Sequence, residues 1–120
     1  MEKVYIISRY SARSRKELII NKKVARYFCR EIMKEGKRPV APHLFYPQFC
    51  NDNDPEERLK GTSLAIKDLD ECDSFLLVIV DGVISEGMKR ELEYLSCRKM
   101  MHGRIAVITK EQADMIAAGR

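Results

Sequence analysis

The apolar residues of this chain fall into short unbroken runs and longer stretches stepped by three and four. Val4 to Ile7 is a short β-branched and aromatic run ending in "SRYSARSR", the composition of a strand that stops near Ser8 and a loop that follows it. From about Arg15 to Glu35, Leu18, Ile20, Val24, Ala25, Phe28, Ile32 and Met33 recur at helical steps, which gives one apolar stripe on a long helix. Gly36 is placed to end that helix in a left-handed cap. "RPVAP" over Arg38 to Pro42 reads as a second short strand, stopped by a proline that has no amide hydrogen for a ladder. "HLFYPQFCNDND" then reads as a long loop. Asp54 caps a helix with Pro55 at its first position and Glu56 and Glu57 in its first turn, expected to run to about Cys72.

"SFLLVIV", Ser74 to Val80, is apolar without alternation, as a strand buried on both faces requires, and is the best candidate for the central strand. Ser85 caps a helix expected over about Glu86 to Met101. "RIAVIT" is a fourth strand, and a closing helix is expected from about Lys110 to Ala118. Strand and helix alternate throughout. The expected fold is therefore α/β, one domain over residues 1–120, with an open parallel sheet of about four to five strands between two helical layers, of the Rossmann or flavodoxin type.

Composition changes this picture little. The chain has 120 residues, 45% apolar and 33% charged, which excludes disordered, collagen-like and coiled-coil classes. The first apolar run is too short for a signal peptide core or a membrane span, so a cytoplasmic protein without a membrane partner is expected. Cys29, Cys50, Cys72 and Cys97 lack any CxxC or Cys/His spacing, which argues against zinc and against a disulfide framework. No metal or organic cofactor is expected.

Charge is unevenly spread. Residues 1–40 carry 12 Lys/Arg against 4 Asp/Glu, residues 41–97 carry 5 against 12, and residues 98–120 carry 5 against 2. A basic first segment could attract a phosphorylated ligand or nucleic acid, or simply solvate the outer face of the first helix. The basic residues are spread around that helix with no reader motif beside them, so nucleic acid ranks last among the expected partners.

In an open parallel sheet, ligands bind outside the carboxyl ends of the strands. Three loops qualify, and they supply Ser8, Arg9, Tyr10, Ser11, His43, Phe45, Tyr46, Asp81 and Ser85, with Glu91 one to two turns into the following helix. An aromatic wall, a few hydroxyls and one carboxylate suit a sugar and a flat base. Other roles stay open: Glu91 as a solvated helix residue beside Lys89, Arg90 and Glu93, His43 as a loop residue bonded to backbone, and Phe45, Tyr46 and Phe49 as a small apolar cluster.

Three stretches resemble the nucleoside 2-deoxyribosyltransferases and the related nucleoside 5'-monophosphate N-glycosidases. "YIISRYS" looks like that family's first strand and loop, "DECDSFLLVIV" like the Asp that precedes its central strand, and "SEGMKRE" fits its Ser-x-Gly-x-x-x-Glu pattern. "APHLFYPQF", "NDNDPEER" and "ISEGM" are similar to a phage and bacterial branch of the superfamily, over about residues 3 to 100.

The resemblance implies that Glu91 attacks the anomeric carbon of a nucleoside or nucleotide and that Tyr10 orients its carboxylate. It also implies that Ser85 and the amides of Gly87 and Met88 grip a phosphate or the sugar 5'-oxygen. The family's further Asp would fall on Ala65, eight residues before Asp73, with Asp68 and Asp70 nearby and Asp68 the substitute. Glu86, on the first helical residue, would repel a phosphate docked on the same amides. The family's sites are often completed by a neighbouring subunit, which implies a homo-oligomer. The alternative function is a binding protein that holds a nucleotide or a nucleotide-derived signal of the cyclic ADP-ribose type without turnover.

Overall fold

The structure is a computed structural model that describes residues 1–98 and 102–119. Its centre is a four-stranded parallel sheet in the order β2-β1-β3-β4, built from β1 (Lys3–Ile7), β2 (Arg38–Val40), β3 (Ser74–Val80) and β4 (His102–Ile108). This is a flavodoxin-like order, in which the direction of winding reverses between β1 and β3. Val4 pairs with Ser74 and Ile7 with Leu77, and β4 runs in register beside the whole of β3 from Ser74↔His102 to Val80↔Ile108.

The described residues form five α-helices around the sheet: α1 (Arg15–Lys34), α2 (Pro42–Phe45), α3 (Pro55–Asp70), α4 (Glu86–Ser96) and α5 (Lys110–Gly119). Successive strand residues point to opposite faces, so the two inner strands feed two cores. Val4, Ile6, Leu76 and Val78 pack under α1 and α5 with Val24, Ile32 and Ala113. Tyr5, Ile7 and Leu77 pack under α3 and α4 with Leu69, Cys72 and Met88. The three-layer α/β/α arrangement follows from that alternation.

The helix ends carry the expected signals. Ser14 caps α1 by accepting the Glu17 amide at 3.1 Å, and Gly36 closes it at φ 77°, with the Lys37 amide donating to the Ile32 carbonyl at 3.3 Å. Asp54 caps α3 through the Glu56 amide at 3.0 Å. The expectations for "HLFYPQF", Cys72 and Met101 need correction. The stretch read as a long loop forms α2 and a 3₁₀ turn over Tyr46–Gln48, because Pro42 and Pro47 sit at helix starts, where the missing amide hydrogen has no partner to lose. Helix α3 stops at Asp70, two residues before Cys72, and α4 stops at Ser96; Met101, its expected end, lies outside the described residues. Among the described residues no helix is long and apolar enough to cross a membrane.

One close approach constrains the β3–β4 pair. Phe75 lies directly beside Gly103 in the ladder, and a Cβ at residue 103 would fall within the Phe75 ring. Gly103→Ala is therefore expected to destabilise the fold by about 1–3 kcal/mol in urea unfolding, as overpacking does. In a Phe75→Leu background the same change is expected to cost much less, and an equal cost in both backgrounds would disprove the clash.

Candidate functional site

The carboxylate of Glu91 lies one and a half turns into α4, on the face turned toward the sheet. Ser85 sets the start of that helix, accepting the Met88 amide at 3.3 Å, and Met88 is buried at 1% exposure in the core beneath. The half-buried Glu91 meets the hydroxyl of Tyr5, which donates a hydrogen bond to Oε2. Tyr5 is itself 1% exposed, in the middle of β1. A tyrosine at this point of a buried strand needs an acceptor for its hydroxyl, and Glu91 supplies it.

Burial pushes the Glu91 carboxyl up to about 7, against the Tyr5 hydrogen bond and the Arg90 charge, which both favour the ionised form. The Tyr5 phenol is raised far above its ordinary value by burial first and by the Glu91 charge second, with Asp68 adding to the effect. Asp68 is near enough for its charge to act on that phenol. It also accepts a hydrogen bond from the Tyr46 hydroxyl at 2.8 Å. Tyr5 with Glu91 and Tyr46 with Asp68 thus form two hydrogen-bonded pairs, the first joining β1 to α4 and the second holding α3.

Two clefts open at the carboxyl edge of the sheet, one beside the ends of β1 and β3 and the other beside the ends of β1 and β2, and the loop after β1 contributes to both. The first, about 540 Å³, has an apolar floor that includes Val24, Val78 and Ala113, and takes Ser8, Arg9, Asp81 and Ser85 into its lining. The second, about 370 Å³, is lined by Tyr10, Ser11, His43 and Tyr46 together with Arg58 and Arg90. A hydrogen bond of 2.8 Å between Ser8 Oγ and His43 Nε2 forms the wall between them. Burial lowers His43 to about 4, so its imidazole is neutral at physiological pH.

The sequence candidates are therefore split rather than gathered in one pocket. Glu91, Asp68, Phe45, Gly87 and Met88 line neither cleft. The hydroxyl on Glu91 is that of Tyr5 and not of Tyr10, whose ring stands edge-on to His43 with centroids 6.3 Å apart. Phe45 is exposed and packs edge-to-face on Tyr46 and Phe49. Gly87 is not crowded, since an added Cβ would meet only the Arg90 guanidinium at 3.9 Å.

Asp81 has structural work. With Gly82 it forms a tight turn at φ 53° and 69°, closed by the Val83 amide on the Val80 carbonyl at 3.1 Å, and its Oδ1 accepts the Lys110 amide at 2.8 Å to cap α5. Ser85 Oγ and the Met88 amide are likewise joined to each other. Among the described residues no group of three or more His, Cys, Asp or Glu could hold a metal ion.

Fold and cluster define an open α/β protein with a tyrosine-bound carboxylate of raised pKa near the point where strand order reverses. The chain belongs to the family described as domain of unknown function DUF7768, whose model matches residues 2–105. No curated protein matches the chain significantly.

Because Glu91 titrates at about 7 in the fold against an ordinary 4.5, the folded state holds its proton more tightly than the unfolded chain. Its contribution to stability is complete below about pH 4.5 and is lost as pH rises through 7. Glu91→Gln is expected to remove that slope and to make the protein more stable than wild type at pH 8, by on the order of 1–3 kcal/mol. Urea unfolding at pH 5 and pH 8 checks this, and identical slopes for both proteins would mean that Glu91 is solvated.

Proposed function

We propose that the protein breaks, or transfers across, the N-glycosidic bond of a nucleoside or nucleotide, with Glu91 as nucleophile. The observation that carries this reading is the Glu91–Tyr5 pair, a carboxylate half-buried near a ligand-sized cleft and oriented by a hydroxyl from the neighbouring strand. A general solvated helix residue needs neither feature. The resemblance of "SEGMKRE" to the deoxyribosyltransferase pattern supports the same residue.

In this reaction ionised Glu91 attacks the anomeric carbon as the bond to the base nitrogen breaks, and its electron pair leaves with the base, which takes a proton from solvent. The glycosyl ester is then opened by water, which gives its hydroxyl to the sugar and its proton to solvent, or by a second base. Tyr5 fixes the carboxylate and favours its ionised form. Asp68, held by the Tyr46 hydroxyl, is the nearby second carboxylate whose charge acts on Tyr5. The ligand approaches through the 370 Å³ cleft, whose wall includes Arg90, the neighbour of Glu91, and Tyr46.

One observation favours the second reading, a nucleotide-binding protein without turnover. Glu91 is absent from the lining of the cleft, which its neighbour Arg90 joins instead.

With a panel of nucleosides and nucleotides, base release followed by ultraviolet absorbance is expected to fall about a thousandfold or more in Glu91→Gln. Activity should decline as pH drops below about 7, where Glu91 becomes protonated. Tyr5→Phe is expected to lower kcat and to move that limb to higher pH, because a hydrogen bond to the ionised form is lost. A Glu91→Gln protein as fast as wild type would sink the reaction. Ligand bound tightly and recovered unchanged would support the binding reading.

A further inference from the structure

The two edges of the sheet are protected unequally. Strand β2 has three residues, and the Arg38 amide donates inward to the Glu2 carbonyl at 2.9 Å, so Pro39 turns a position without an amide hydrogen to the outer edge. That edge offers a further strand little to pair with. Strand β4 has seven residues, contains no proline or lysine, and runs in unbroken register with β3. The Asp81 amide, at the end of β3, donates to the Ile108 carbonyl at 2.9 Å. By strand alternation the amides and carbonyls of Gly103, Ile105 and Val107 therefore point to the outer edge.

One face of β4 is bare as well. On the α1 and α5 side, Ala106 and Ile108 pack on the core, and Arg104 donates two hydrogen bonds to Glu35 at 2.8 and 3.1 Å. On the α4 side, Ile105 and Val107 remain 64% and 68% exposed. Between them and the start of the strand, the Phe75 ring fills the space that a side chain at Gly103 would take.

These features fit a second copy of the same strand. With two β4 strands antiparallel and Ile105 on the two-fold axis, Ile105 faces its own copy and Val107 faces the partner's Gly103. Each of these opposed pairs exchanges two main-chain hydrogen bonds, so every outward group of the three residues is used. Val107 also comes against the ring of the partner's Phe75, a favourable aromatic and β-branched contact. The charges agree with this register. Arg104 falls opposite Ala106 and His102 opposite Ile108, so no charge directly opposes its like, and Glu35 offsets each Arg104 on its own chain.

We infer that β4 is a self-association surface, on which two copies of this chain join antiparallel about Ile105 and merge their four-stranded sheets into one. The inference uses neither Glu91 nor the clefts and stands apart from the nucleoside-directed reading. A single-strand ladder is smaller than the roughly 800 Å² per partner of a standard interface, so main-chain hydrogen bonds carry the affinity and the dimer forms reversibly with concentration.

Sedimentation velocity across a concentration series reads this association. Wild type is expected to pass from monomer to dimer, and Ile105→Lys and Ile105→Glu, which each set two like charges face to face, are expected to associate about tenfold or more weakly. Mixed in equal amounts, the two variants should recover the dimer, because the axis then sets a lysine against a glutamate. Leu59→Lys, at a 66% exposed position on α3, should leave the dimer intact. Amide exchange of wild type, followed by NMR, tests the pairing without any variant: Gly103, Ile105 and Val107 should be protected in the dimer and exchange on dilution. The inference is overturned if wild type stays monomeric, if both Ile105 variants keep the dimer, or if their mixture remains monomeric. It is equally overturned if Leu59→Lys alone dissolves the dimer, or if the three amides exchange freely within it.

Discussion

The interior of this protein is organised around a single polar contact, the hydrogen bond from Tyr5 to Glu91. Strand β1 lies between β2 and β3 and is covered on both faces, so each of its side chains from Val4 to Ile7 is buried. A phenol in that run brings one hydroxyl into an apolar layer, where an unmade hydrogen bond costs about 1–3 kcal/mol. Glu91 meets the need, and its own burial raises its pKa. The contact joins β1 to α4 and holds a carboxylate near the mouth of the sheet. It combines a packing requirement with a charge that the fold stabilises only in part.

The layered fold was legible because it depends on patterns that sequence carries directly. "SFLLVIV" was the best candidate for a strand covered on both sides, and the signals at Gly36, Asp54 and Ser85 mark helix ends chemically. "PHLFYPQF" misled because two prolines and three aromatics have the composition of a loop, whereas prolines in the first helical positions break nothing. The inward placement of Glu91 on α4 was legible, and the groups around it much less so. Tyr10 was the partner that the family resemblance implied, while Tyr5 was concealed within an apolar run as an ordinary core residue. The available signal was the hydroxyl itself, since a phenol in the middle of a buried strand has to find an acceptor. Arg58 and Arg90 share a cleft through the packing of α3 against the rest, which no local pattern states.

The division of the carboxyl edge into two clefts also follows from one segment. After β1 the chain sends Ser8 and Arg9 to one side and Tyr10 and Ser11 to the other, and the Ser8–His43 hydrogen bond holds the partition. The Asn21 amide anchors the same segment, donating to the Tyr10 and Ser11 carbonyls at 3.3 Å. The burial that keeps His43 neutral leaves this wall without a charge of its own. The character of each cleft is set by the helices that flank it: α1 and α5 give one an apolar floor, and α3 and α4 give the other its guanidiniums.

The turn at Asp81 limits what evolution can do at the end of β3. Its backbone, at φ 53°, disfavours branched and bulky residues, and its carboxylate caps α5. Glycine would satisfy the backbone and leave the Lys110 amide open, and serine would offer an acceptor in a conformation it rarely adopts. Aspartate and asparagine meet both demands together. An Asx-Gly pair two residues before the "IS" that starts α4 is thus a fingerprint by which relatives could be aligned even where the cleft residues have diverged.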